Sequence, residues 1–227
     1  DFRQYESQIQ KLIDKHIQTD EVKPITELVN IFDKEEFTQE VERITGAAAK
    51  ADRIASRTDR HITEKMDEDP ALFKKFSEML KETIRAYEER RISEIEYLHR
   101  AREIMESVLS RTDAGIPQAL QDMEVARAFF GISRETLAEK TGDVSLQEEL
   151  SVAIALAVDE IIRRHVMDGG RPKIDWENKS GILGRLRIEI GDYLIDEVQA
   201  RYPIRFSFEE MEKLGEKCIN VAKIRYK

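Results

Sequence analysis

The sequence predicts an all-α protein, an irregular multi-helix bundle built around one long spine helix. Apolar residues recur at spacings of three and four along almost every segment, as in amphipathic helices. Strand signals are nearly absent, because the one weakly alternating stretch, "YPIRFSF" at 202–208, contains Pro203. Helix-start patterns, in which a capping residue stands beside acidic residues, occur at several positions.

The first 68 residues are predicted to form N-terminal helices. One covers about 2–17, a second covers 25–32, and a third begins near Lys34. The helical pattern then continues through 47–66, where it carries Ala47, Ala51, Ile54, Thr58, Ile62 and Met66.

The longest predicted element is the spine helix, from about Pro70 to Arg111. Asp69 is placed to cap its first turn, and Pro70 suits the first helical position. No further proline and no glycine interrupts the stretch. Such a helix would be about 60 Å long, which is too long for one compact core. Several helices are therefore expected to pack against it.

The rest of the chain is predicted to complete a helical bundle over residues 69–227. A short helix should run from Pro117 to Phe130 and end at Gly131, after which "SRETLAEK" at 133–140 can add two turns. Capping-box patterns at "SLQE" (145–148) and "SFEE" (207–210) should open two further helices, and another should run from "KIDW" to about Tyr202. The whole is expected to be one continuous helical domain with a soft boundary near 113–117.

The overall charge limits the possible functions. Among 227 residues, 37% are charged and the formal net charge is -9, whereas a domain that grips phosphate is usually basic. This balance argues against autonomous nucleic-acid binding. The single cysteine fits a reducing cytoplasm, and no apolar run approaches the roughly 20 residues needed to span a membrane.

Searches for catalytic, cofactor-binding and metal-binding motifs identify none. "GILGRLRIEIG" at 181–191 lacks the Lys-Ser/Thr of a phosphate-binding loop and is interpreted as close helix packing. "EYLH" at 96–99 is one half of a di-iron helix motif, and its second half is missing. Cys218 lies on the apolar face of the last helix and is interpreted as a buried structural thiol.

One basic cluster remains a candidate DNA-binding surface. Arg90, Arg91, Arg100 and Arg102 could form a phosphate-facing ridge near the middle of the spine. The neighbouring glutamates favour a mixed, solvated surface instead.

The only tryptophan, in "KIDW", has three possible roles: stacking on a ligand, gating a substrate, or anchoring a helix. Asp175 is predicted to be an N-cap and Trp176 the first helical residue. Ile174 and Trp176 are expected to pack outward from their own helix onto a neighbour such as the helix at 145–167. Trp176 is therefore predicted to be a structural anchor.

Three stretches resemble the C-terminal helical region of the R subunit of type I restriction enzymes. They are "DFRQYESQIQKLIDKHI", "ITEKMDEDPALFKKFSEMLKETI" and the "IDW" that precedes the last helices. The resemblance is strongest over 51–111 and 174–202. It implies that the chain is a fragment of a larger cytoplasmic protein of a bacterium or archaeon. That parent would be a site-specific deoxyribonuclease and DNA translocase that uses ATP and Mg²⁺.

The resemblance also implies the partners. They are the M and S subunits of the methyltransferase core, the parent's own motor domains upstream of residues 1–68, and DNA in the full complex. The expected function is a non-catalytic assembly module that docks the motor onto the methyltransferase. Two alternatives stay open: a DNA-contacting clamp of the motor, and an unrelated helical interaction domain.

Overall fold

A computed structural model describes residues 34–111 and 115–227 and confirms the all-α fold class. Residues 41–227 form one compact unit, and the predicted helices at 2–17 and 25–32 lie outside the described residues. The described residues form eight α-helices: α1 Lys34–Arg43, α2 Ala47–Lys65, α3 Pro70–Glu88, α4 Glu94–Ser110, α5 Glu124–Ala138, α6 Val144–Val166, α7 Ser180–Tyr193 and α8 Phe208–Arg225.

Shorter elements connect these helices. Three 3₁₀ turns cover Met66–Glu68, Gln118–Leu120 and Trp176–Asn178, and α7 continues as a π-helical segment, Leu194–Gln199. Two antiparallel strands, β1 Met167–Asp168 and β2 Arg171–Pro172, form a small hairpin after α6. No helix in the described ranges is long and apolar enough to cross a membrane.

The predicted spine helix is wrong, because the stretch forms two helices, α3 and α4, that pack on one another. Arg90 adopts a left-handed backbone conformation with φ 58°, which ends α3. The hydroxyl of Ser93 then accepts a hydrogen bond of 3.2 Å from the backbone N–H of Glu96 and caps α4. A capped turn therefore replaces the straight helix without any glycine or proline.

Helix α5 differs from prediction because it begins later, at Glu124, and runs without a break through Gly131 to Ala138. A Cβ added at Gly131 would lie 2.5 Å from the Cβ of Ala71. Gly131 therefore allows α3 and α5 to approach closely and does not end a helix.

The predicted helix starts are partly confirmed. Asp69 caps α3, with Pro70 at its first position, and Ser207 and Glu210 form the predicted capping box of α8. The capping box at 145–148 is wrong: Asp143 caps α6, and its carboxylate accepts hydrogen bonds from the backbone N–H groups of Ser145 and Leu146. An aspartate two residues earlier is as good a cap as the serine.

The apolar core of residues 41–227 has two main clusters. One joins α2, α3 and α4 around Phe73, Phe76 and Leu80. The other joins α5 to α8 and contains Trp176. The clusters meet where α3 packs on α5 and where α8 contacts the 3₁₀ turn Met66–Glu68.

Candidate functional surfaces

The predicted arginine ridge is a surface of paired charges at the α3–α4 turn. Arg91 bonds to Glu82 at 2.9 Å and to Glu89 at 2.7 Å. Arg100 bonds to Glu96 at 2.6 Å, and Arg102 bonds to Glu42 at 3.0 Å. Arg90 is exposed and has no ion-pair partner among the described residues. Three of the four guanidinium groups are thus already neutralised by carboxylates, which weakens their attraction for phosphate.

Trp176 is buried in the larger core cluster with 1% of its surface exposed. Its indole Nε1 donates a hydrogen bond of 2.7 Å to the backbone carbonyl of Tyr226. Asp175 does not cap a helix: it adopts a left-handed conformation, and its carboxylate accepts a hydrogen bond from the side chain of Asn178. Ile174 is 88% exposed, so the prediction that it packs on a neighbour is wrong.

Sequence reasoning missed an ion-pair network centred on Glu68. Its carboxylate contacts Lys65 at 2.6 Å, Arg225 at 3.1 Å, and Arg111. Burial opposes the charged form, but hydrogen bonds and charges from Lys65 and Arg111 outweigh it and lower the pKa of Glu68 to about 2. The partners lie 3, 43 and 157 residues away, so only the pairing with Lys65 was visible as helical spacing.

Asp69, next to Glu68, is a buried helix cap whose carboxyl group has a raised pKa. Its Oδ1 accepts a hydrogen bond of 3.2 Å from the backbone N–H of Leu72. Burial raises the pKa of Asp69 to about 6, although the Leu72 hydrogen bond and the charge of Arg127 act in the opposite direction.

The outer face of α7 and of the π-helical segment that continues it carries glycine and isoleucine that the described residues cover only in part. Its members follow one another at spacings of three and four: Gly181, Gly184, Ile188, Gly191 and Ile195. A Cβ added at any of the three glycines would meet no atom of the described residues within 4 Å. Ile188 is 63% exposed and Ile195 is 45% exposed. The prediction that these glycines serve close helix packing is therefore wrong within this part of the chain.

Comparison with known proteins gives one match. The family described as "Type I restriction enzyme HindI endonuclease subunit-like, C-terminal" matches residues 1–220. The chain belongs to this family. No curated protein and no solved structure matches it. The predicted resemblance to the C-terminal region of the type I restriction endonuclease subunit is thus confirmed.

The remaining candidate positions in this C-terminal region of the endonuclease subunit are Cys218 and His99, and the surroundings of each fit a structural role. Cys218 is fully buried, and burial raises the pKa of its thiol. His99, the histidine of "EYLH", is an exposed residue that contacts Glu103 at 3.1 Å. No group of three or more His, Cys, Asp or Glu within the described ranges is placed to hold a metal ion.

Proposed function

We propose that this chain is a non-catalytic assembly module. It docks the ATP-dependent translocase and endonuclease of a type I restriction enzyme onto the methyltransferase core of M and S subunits. Family membership provides the multisubunit context. The observation that carries the proposal is the uncovered glycine and isoleucine face of α7.

This face has a free-energy cost that nothing within the described residues offsets. A glycine in a helix interior destabilises it by about 1 kcal/mol relative to alanine, and Gly184 and Gly191 stand beyond the first turn of α7 on this face. Ile188 and Ile195 also leave apolar surface in water. Both costs are explained if a partner's backbone approaches the glycines and covers the isoleucines.

The charges beside the face fit the rim of an interface. Arg185, Asp192 and Asp196 are exposed and have no ion-pair partner among the described residues. Charged rims around a less polar centre set the specificity and orientation of docking. Helix α7 with its π-helical segment is about 30 Å long, so this face supplies the centre of an interface of standard size.

The test is a pull-down of the M–S methyltransferase by the 227-residue chain. We expect wild-type protein to retain the methyltransferase and Ile188→Glu to lose it, because a buried carboxylate without a partner is costly. Ile95→Glu is the matched control, since Ile95 is 76% exposed on α4, outside the α7 face. Equal retention by both variants contradicts the α7 surface, and no retention by folded wild-type protein contradicts docking altogether.

The same preparation tests the DNA-contacting clamp. Duplex DNA retained at low salt, and released when Arg90, Arg91, Arg100 and Arg102 are changed to alanine, supports the clamp over the docking module. The docking proposal expects no such retention, since three of these arginines already hold carboxylates.

A further inference from the structure

A cavity of about 370 Å³ lies where the first turn of α3 meets α5. This volume falls within the range of small-molecule sites, which is about 300–1,000 Å³. Leu72, Ile116 and Phe130 contribute apolar lining, and Arg127 and Arg134 also line the cavity. Neither the arginine ridge nor the α7 face contributes to it.

The sequence of α5 places the cationic and aromatic groups on one side of the helix. Arg127, Phe130, Gly131 and Arg134 follow at helical spacing, so the two arginines stand two turns apart with the ring between them. The contact between Gly131 and Ala71 brings the backbone of α3 close to α5. The guanidinium of Arg134 lies 5.9 Å from the centre of the Phe130 ring.

Carboxylates also line the cavity, but cations outside it engage most of them. Glu68 is held by Lys65 and Arg225 as well as by Arg111. Glu135 contacts Lys74 at 3.5 Å and Lys217 at 3.3 Å. The outer cations do not line the cavity; they are Lys65, Lys74, Lys217 and Arg225. Because they offset the charge of the lining carboxylates, the electrostatic potential inside the cavity is more positive than the lining residues alone would give.

Arg127 and Arg134 keep unused hydrogen-bonding capacity towards this space. The side chain of Arg127 is only 15% exposed, and its one ion-pair contact is with Glu124 at 4.0 Å, beyond hydrogen-bonding distance. Glu124 is already bonded to Arg225. Arg134 is an exposed residue of the cavity lining and has no carboxylate partner among the described residues. The largely buried guanidinium of Arg127, without a hydrogen bond of its own, is the stronger donor for an anion.

We propose that this cavity binds a small organic anion, with an apolar ring against Phe130 and Leu72 and a phosphate or carboxylate held by Arg127 and Arg134. The apolar lining excludes water around the ring, and the guanidinium groups select the charge. This binding is independent of the docking function, because Ile188 and the glycines of the α7 face do not line the cavity.

The test measures binding of phenyl phosphate, benzoate and inorganic phosphate to the 227-residue chain by calorimetry and NMR titration. We expect saturable binding of at least one ring-bearing anion at millimolar concentration or tighter. Inorganic phosphate should bind about tenfold more weakly, because it lacks the ring. The relative affinities of phenyl phosphate and benzoate show which anionic group the site prefers.

Two variants locate the site. Arg134→Gln should weaken binding at least about tenfold, because the neutral amide removes a charge-assisted hydrogen bond to the anion. Ala138→Trp should abolish binding by filling the cavity from an exposed position of its lining, with circular dichroism as the check on folding. Arg171→Gln, at an exposed arginine of β2 outside the cavity, is the matched control and should bind normally. Absence of saturable binding by folded protein, or binding that neither variant weakens, overturns the proposal.

Discussion

Trp176 donates a hydrogen bond to the backbone carbonyl of Tyr226, 50 residues further along the chain. The bond joins the 3₁₀ turn before α7 to the end of α8. Tyr226 is itself fixed: its hydroxyl donates to Asp159 on α6 and accepts a bond of 2.9 Å from Nε of Arg163. Three parts of the larger core cluster are thus held together through two aromatic side chains.

Trp176→Ala should lower the free energy of unfolding by about 3 kcal/mol or more. The substitution removes a fully buried ring and leaves a cavity together with an unpaired carbonyl. Urea denaturation followed by circular dichroism measures this, because the variant has no tryptophan fluorescence. Trp176→Phe keeps most of the apolar burial and should lose only about 1–2 kcal/mol. An unchanged midpoint for Trp176→Ala contradicts the anchor role.

Tyr226→Phe should destabilise the chain by about 1–3 kcal/mol, even though the ring remains. Asp159 is 3% exposed, and the variant removes the hydroxyl that donates to its carboxylate. Arg163, at 2.9 Å, is then its remaining partner among the described residues. The backbone bond to Trp176 is unaffected. Thermal unfolding compares this variant with Tyr202→Phe, a half-buried tyrosine whose hydroxyl makes only a 3.5 Å contact and which should change little.

Ser93→Ala should lower stability by about 1 kcal/mol, because the α4 cap is lost. A continuous spine helix predicts the opposite sign, since alanine is the better helix former in a helix interior. Urea denaturation distinguishes the two signs, and Ser110→Ala at the other end of α4 provides a comparison away from the cap. If Ser93→Ala were more stable than the wild-type chain, the result would support one continuous spine helix and contradict the capped turn.

The broken spine shows what the sequence could and could not predict. The apolar spacing of Phe73, Phe76 and Leu80 predicted the helical state of α3 and its buried face, because both depend on local periodicity. The turn was signalled only by "SEIE" at 93–96, a capping-box pattern on an unbroken helical background. The Glu68 network and the contact between Gly131 and Ala71 depend on residues distant in sequence, and a single sequence carries no signal for such contacts.

Asp69→Asn should stabilise the chain at high pH and not at low pH. Asparagine still caps α3, but it removes a carboxylate that burial makes costly to ionise. The folded-state pKa of Asp69 is raised from 3.8 to about 6, so its contribution to stability is fully present below pH 3.8 and is lost as the pH rises through 6. The gain from Asp69→Asn should therefore grow across this window to at most about 3 kcal/mol.

Urea denaturation of wild type and variant at pH 4 and pH 8 gives the difference directly. Asp69→Ala serves as the control for the cap and should lose about 1 kcal/mol relative to Asp69→Asn at both pH values. Lower stability of Asp69→Asn at pH 8 would mean that Arg127 and its neighbours favour the charged form more strongly than burial opposes it.

Alanine at Gly184 and at Gly131 should have opposite effects on stability. A methyl group at Gly184 meets only open space, so the better helix former should stabilise the chain by about 0.5–1 kcal/mol. At Gly131 the same methyl group would lie 2.5 Å from the Cβ of Ala71, and separating α3 from α5 should cost about 1–3 kcal/mol. Urea denaturation measures both, and a loss of stability in Gly184→Ala would contradict the open face of α7. A stabilised Gly184→Ala that also retains less methyltransferase would show that this glycine serves the docking partner and not the fold.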